Sequence, residues 1–180
     1  MKTKTLKYRG IALGLCALVM TLAAGRASAD DHADGTISVT PVAALSITVG
    51  GNIALGSSVD VGASTYSVAG QALSNLSLVG VKVKGQITGT SGWTADATTQ
   101  GYNTYVLKAL AAAAAPDHAT LDAVTALSSS AAGAITGAQA LGAAGQSGDT
   151  TNIWYKLAMP TGVSSMIERT ITITYTAEAL

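Results

Sequence analysis

Ile171-Thr172-Ile173-Thr174-Tyr175-Thr176-Ala177 alternates apolar and threonine side chains with a period of two. On a helix these apolar residues would scatter around the axis, whereas on a strand they share one face, and the pattern reads as a half-buried β-strand. Five of the seven residues are β-branched, which suits a pleated surface.

The same period recurs on the N-terminal side of that run. Ile153, Tyr155, Leu157 and Met159 alternate up to a stop at Pro160-Thr161-Gly162, and Tyr102 to Leu110 forms another strand rich in Tyr, Val and Leu. Trp93, Ala95 and Ala97 share one side of a strand opened by Gly92. From Leu76 to Ile87, Leu76 and Leu78 lie in one phase while Val81, Val83 and Ile87 lie in the other, so a bulge near Val79-Gly80 is expected to turn both sets toward one core. Tyr66 and Val68 mark a short strand, and Ile53, Leu55, Val59 and Val61 continue the alternation after the Gly50-Gly51-Asn52 turn. From 109 to 145 Ala, Gly, Ser and Thr dominate, and Leu121, Val124 and Leu127 fit a short helix or a loop packed on the sheet equally well. About eight short strands joined by glycine-rich turns, with no alternating helices, predict an all-β, antiparallel β-sandwich (Ig-like or jelly-roll-like) with an Ala-rich insertion.

The earliest alternating run is unusually long. Ile37, Val39, Pro41, Ala43, Leu45, Ile47 and Val49 fall on one side of a segment covering 36–49. Fourteen residues in extended form would reach about 46 Å, more than twice the ~17–20 Å of an ordinary strand. The run is therefore expected to divide or to extend outside its own domain. Pro41, which cannot donate a ladder hydrogen bond, marks the expected break.

Before this segment, Lys2, Lys4, Lys7 and Arg9 precede an apolar stretch from Ile11 to Ala24 and an Ala27-Ser28-Ala29 site. That order predicts a secretory signal over 1–29, followed by an acidic leader over 30–35 and a single sandwich domain over 36–180. Secretion or display at the cell surface follows as the expected localisation. From Asp30 onward five basic residues face ten acidic ones, a formal charge of −5, and the only cysteine, Cys16, lies inside the signal. A disulfide framework, a thiolate nucleophile and a Cys-ligated metal are thus not expected of the processed chain. Lys82 and Lys84 form the only basic pair, too little for a nucleic-acid footprint on an acidic chain, and they fit better as charges guarding a strand.

Chemical motifs are sparse. His32 and His118 lack an H-x-x-x-H partner, and the Asp30, Asp31, Asp34 cluster lacks the spacing of a calcium loop, so neither a metal nor any other cofactor is expected. Gly145-Gln146-Ser147-Gly148-Asp149 has a serine in a glycine turn but no accompanying base. No nucleophile, base and orienting group combine into a catalytic set, and the chain is expected not to be an enzyme. Asn75-Leu76-Ser77 matches a glycosylation sequon. Trp93 is expected in the core, in the manner of the central Trp of many sandwiches. Trp154, out of phase with Ile153 and Tyr155, is expected on the outer face as an exposed interface or ligand residue.

Taken together, the Leu45-Ser-Ile-Thr-Val49 strand, Gly92-Trp93, Ile153-Trp154-Tyr155-Lys156-Leu157 and the closing Ile171-Thr-Ile-Thr-Tyr175-Thr-Ala177 resemble secreted bacterial surface sandwiches. The chain is similar in style to the cell-wall-binding WxL domain, although Thr174-Tyr175-Thr176 stands where that family has Trp-x-Leu. It also resembles donor-strand fibre subunits, both the TasA-like biofilm fibres and the spore-coat-U-like pilins, without the pilins' cysteines. The fibre resemblance implies a structural subunit whose partner is itself, with 36–40 leaving its own domain and Ile37 and Val39 anchoring in a neighbour ahead of Pro41. The WxL resemblance implies instead a surface domain that binds cell-wall polymer or glycan, with Trp154 at the contact.

Overall fold

The computed structural model describes residues 44–56 and 58–180. The strand-donor residues Ile37, Val39 and Pro41, together with the expected signal and acidic leader, lie outside the described residues.

Among the described residues nine strands and one short helix follow in order: β1 (Ile47–Val49), β2 (Ser64–Tyr66), β3 (Gln71–Asn75), β4 (Val81–Thr90), β5 (Thr94–Ala95), β6 (Thr104–Ala112), α1 (His118–Ala123), β7 (Gly133–Ala134), β8 (Thr150–Ala158) and β9 (Ile171–Ala179). They form two sheets. The larger has the order β1-β3-β8-β6-β5, with β2 also pairing β8, and the smaller has the order β7-β4-β9. All pairings are antiparallel except β5 with β6. The expected all-β sandwich is the architecture of the chain.

Alternation explains the core. From the larger sheet Leu73, Tyr105, Leu107, Ile153, Tyr155 and Leu157 point inward, and Val81, Val83 and Ile87 meet them from β4. At Gly85 there is no room for a side chain, because Ile135 and Leu127 pack to within 3.2 and 3.4 Å of where a Cβ would stand. The Ala-rich region, whose structure the sequence leaves open, supplies Leu127, Ile135, Ala138 and Leu141 to this core. It also closes one side of the smaller sheet. Val81 and Leu141 exchange backbone hydrogen bonds, Ile135 N–H donates to Val83, Val83 N–H donates to Ala138, and Ile87 N–H donates to Ser128. Helix α1 covers a second, smaller cluster of Leu110, Leu121 and Val124 on the other face of the larger sheet.

Three sequence expectations are corrected. Residues 76–87 are not one bulged strand: β3 and β4 belong to different sheets, and Leu76 and Leu78 face solvent, Leu78 being 90% exposed. Asn75 and Ser77 are buried in their place. The chain must pass from one sheet to the other here, and polar side chains satisfy the backbone groups that no ladder reaches. Asn75 Nδ2 donates to the carbonyls of Val79 (2.8 Å) and Gly142 (2.7 Å), its Oδ1 accepts from Ser77 N–H, and Ser77 Oγ accepts from Ser46 N–H at 2.7 Å. An asparagine so occupied offers no free amide to a glycan. Residues 53–61 form no strand, yet Ile53 and Leu55 still pack on the core. The expected strand beginning at Trp93 shrinks to the two residues of β5, because Asp96 Oδ1 accepts from the N–H groups of Thr98 and Thr99 and turns the chain away.

Replacing Asn75 with alanine would strip one buried and two half-buried backbone groups of partners. The expected cost is about 3 kcal/mol, at roughly 1 kcal/mol or more for each orphaned group. Urea unfolding of Asn75→Ala should therefore show a lower midpoint with an unchanged slope; an unchanged midpoint would contradict the role given to this side chain.

Candidate functional site: an unfilled strand position

The two edges of the smaller sheet differ. On the β7 side the edge is closed by the backbone hydrogen bonds of residues 128–141. On the other side stands β9, nine residues long, which among the described residues pairs with β4 alone. Its inward side chains Ile171, Ile173, Tyr175 and Ala177 pack on the core yet are only half buried, while those of β4 and β8 are sealed.

Cross-sheet contacts fix which strands face one another. The Thr136 carbonyl accepts from Ala111 N–H, so the β7 side lies over β6. The hydroxyls of Tyr175 on β9 and Tyr155 on β8 meet each other and Gln71 Oε1 on β3, sharing their two protons among the three oxygens, with Tyr175 3.2 Å from Gln71. β9 therefore stands over β3 and β8. The next strand outward in the larger sheet is β1, and among the described residues no strand of the smaller sheet lies beyond β9 on that side. Ile47 and Val49 of β1, continued by Ile53 and Leu55, are half buried like the β9 row. A sheet edge carrying unpaired main-chain groups beside two rows of half-covered apolar side chains is chemically an acceptor for one more strand.

Gln71 holds this place open at a fixed width. Its Nε2 donates to the carbonyls of Gly50 (3.0 Å) and Gly51 (2.9 Å) just after β1, while its Oε1 accepts from the tyrosine on β9. Burial raises the pKa of Tyr155 and of Tyr175 above the ordinary phenol value, so both remain neutral hydrogen-bonding groups. On the outer face of β9, Glu178 pairs with Lys82 at 2.9 Å and with Lys84 at 2.5 Å, and hydrogen bonds from Lys84 and then Lys82 depress its pKa. The lysine pair thus has a structural partner on β9.

Trp154 does lie on the outer face of the larger sheet, but half buried and not exposed. Its ring leaves no space for a side chain at Gly70, and its Nε1 donates to the Ala112 carbonyl at 3.0 Å. That indole is a packing element with its polar atom already engaged. Trp93 packs at the margin of the core with its ring 6.2 Å from that of Tyr105, half buried where full burial is expected of a central residue.

The remaining polar cluster clamps α1 onto the sheet. Lys156 Nζ is 2.7 Å from Asp122 Oδ1, which also accepts from the Tyr66 hydroxyl at 3.0 Å, and the Tyr66 ring stacks on His118 with centroids 3.7 Å apart. The hydrogen bond from Lys156 holds the Asp122 carboxyl below the usual carboxylate range. Burial opposes the charge of Lys156 most strongly, yet the Asp122 hydrogen bond, the charge of Asp122 and the contact with Tyr66 together outweigh it and raise the lysine pKa. Beside this cluster Ser64, Gln100, Lys108 and Lys156 line a cleft of about 210 Å³, smaller than the ~300–1,000 Å³ of ordinary ligand pockets. Ser147 sits in a turn whose Asp149 carboxylate accepts from Gly145 N–H at 2.8 Å, so that acid serves the turn. Among the described residues no three potential metal ligands converge.

Sequence reasoning identified β9 as a strand and singled out the surplus alternation before β1. It did not reveal that β9 pairs on one side only among the described residues, because strand order leaves no mark in the alternation of a single strand. Compared with family models, curated proteins and solved structures, the chain matches none of them.

Proposed function

We propose that this chain is a secreted, non-enzymatic structural subunit that polymerises outside the cell by strand donation, the segment 36–40 of one copy completing the sheet of the next. The observation that supports this reading is the nine-residue edge of β9, unpaired on its outer side among the described residues, with its half-buried row Ile171, Ile173, Tyr175. Isolated sheets with long, flat, low-charge edges tend to recruit strands, and natural monomers ordinarily blunt them. Here the sole charge on the edge strand is Glu178, and the chain carries a further alternating segment with Ile37 and Val39. Main-chain hydrogen bonds would supply affinity and those two side chains the anchoring. Because donor and acceptor surfaces differ, the assembly is heterologous and grows as an open filament. Binding of wall polymer through Trp154 loses its anchor, since that indole is partly covered and hydrogen-bonded.

Light scattering followed by negative-stain microscopy tests the proposal. The intact chain should form filaments, and deletion of 36–40 should leave particles of one-subunit mass. Filaments that persist after the deletion would overturn strand donation.

A further inference from the structure

Three buried polar side-chain atoms have no hydrogen-bond partner among the described residues: Trp93 Nε1, the Tyr105 hydroxyl and Arg169 Nε. Orphaned buried polar groups are few in any native fold, and each calls for an explanation. These three gather at one end of the sandwich. β4 finishes there at Thr90, paired with Ile171, and Arg169 stands two residues before that partner. Trp93 follows Thr90 by three residues, its carbonyl accepting from the Thr90 hydroxyl, and Ala95 just beyond it pairs with Tyr105 of β6. The Trp93 and Tyr105 rings lie 6.2 Å apart between centroids. Arg169 lies across Gly92, with Nη1 and Cζ 2.5 and 3.0 Å from where a Cβ would stand, and Gly92 takes φ +77°. A glycine is what lets a guanidinium settle directly beside Trp93.

All three groups offer protons. A guanidinium and an indole N–H donate and never accept, and burial raises the pKa of Tyr105 so that its phenol stays protonated. No acid of the described residues answers them. Asp96, three residues after Trp93, turns Oδ1 to the N–H groups of Thr98 and Thr99, and Glu168 beside Arg169 is exposed. Arg169 is also the exception among the basic side chains. Lys82 and Lys84 reach Glu178, Lys156 reaches the Asp122 carboxylate and Lys108 the Asp122 carbonyl, whereas Arg169 has neither ion pair nor hydrogen bond among the described residues. A planar cation with two neighbouring donors fits a carboxylate, which takes the guanidinium edge with both oxygens and keeps lone pairs for the indole and the phenol.

The loop bearing Arg169 gives a way in. Residues 165–169 neither donate nor accept a backbone hydrogen bond among the described residues. The loop is pinned on either side, by Ser164 N–H donating to Asn103 Oδ1 at 2.9 Å and by Thr170 N–H donating to Ser91 Oγ at 3.3 Å. Segments held so sparsely sit at the low-stability end of local opening. Met166 and Ile167 on this loop are exposed, as is Tyr102, whose ring packs against Gly162 at the loop's start. Three large apolar side chains beside an unanswered cation match a ligand with an acid head and an apolar body.

We propose that this end of the sandwich binds a small aliphatic monocarboxylate, independently of any strand exchange at β9. Arg169 holds the carboxylate, Trp93 Nε1 and the Tyr105 hydroxyl complete its hydrogen bonds, and the aliphatic tail lies against Met166, Ile167 and Tyr102. The loop 165–169 lifts to admit the acid and settles over it.

Equilibrium dialysis of the full chain against radiolabelled hexanoate tests the site in whatever assembly state the protein takes. Saturable binding of one hexanoate per chain is expected, with a dissociation constant of about 1 mM or lower for a ligand of this size. Arg169→Gln should weaken binding roughly tenfold or more, and Tyr105→Phe, which keeps the ring and removes only the hydroxyl, about fivefold. Should Arg169→Gln fail to fold, Tyr105→Phe carries the test, because a hydroxyl with no part in binding would leave the affinity unchanged and that result overturns the site. Hexanol competing as well as hexanoate would reduce the site to apolar contact, and inorganic phosphate competing as well would deny the preference for a carboxylate; either overturns the proposal. Absence of saturable binding up to about 20 mM, well above the expected constant, would do the same and leave the three donors to ordered water.

Discussion

Ile37→Asp combined with Val39→Asp is expected to abolish filaments while leaving the sandwich folded. Each anchor, fully buried in the neighbour, would contribute about 1.5–3 kcal/mol of hydrophobic transfer, and a carboxylate in the same place adds a desolvation cost. A total loss of about 4 kcal/mol corresponds to a thousandfold weaker association, enough to move polymerisation out of the accessible concentration range. Sedimentation should find only single subunits, with the far-UV spectrum and melting behaviour of the chain lacking 36–40. A free peptide of sequence 36–43 added to that truncated chain should raise its melting temperature by mass action, by an amount that grows with peptide concentration. Unimpaired filaments from the double variant would show that these side chains are not the anchors.

The opposite edge of the smaller sheet should respond to substitution in the opposite way. Gly137 follows Ile135 and Thr136 where the chain crosses β6, and it adopts φ +84°. A Cβ there would stand 2.0 Å from the Ala111 carbonyl oxygen, a backbone atom that cannot rotate away. Left-handed backbone at a non-glycine residue costs about 1–3 kcal/mol, and forced overpacking adds a similar amount. Gly137→Ala is expected to destabilise the domain by about 3 kcal/mol or more, lowering the melting temperature on the order of 10 °C. The closed edge is thus a determinant of folding, whereas the β9 edge is proposed as a determinant of assembly. A wild-type melting curve for Gly137→Ala would contradict the crossing.

The contrast between these edges also explains what the sequence could disclose. β4, β8 and β9 are legible because each keeps a period of two over most of its length, with Val, Ile, Leu or Tyr inward. Leu76 and Leu78 mislead because hydropathy carries no information about hydrogen bonds. Asn75 and Ser77 are worth more inside, where they close a crossing between sheets, than the leucines would be. Residues 124–141 read as featureless because this segment meets β4 and β6 at isolated points: Leu127, Ile135, Ala138 and Leu141 dock one at a time, with no fixed spacing to betray a period. Trp154 was readable in its phase but not in its cover, since the glycine that admits its ring, Gly70, is distant in sequence. For the candidate site, the donor half was visible as surplus alternation before Ile47. The acceptor half became visible only when the strands of the two sheets were set over one another and β1 was left without a counterpart.

Amide hydrogen exchange along β9 tests the vacant position most directly. In the chain lacking 36–40, amides of 171–179 that do not donate to β4 should exchange rapidly. In filaments of the intact chain those same amides should slow by at least a hundredfold, while β4, already paired on both sides, changes little. Equal exchange along β9 in the two forms would mean that no strand is added there and would contradict assembly through this edge.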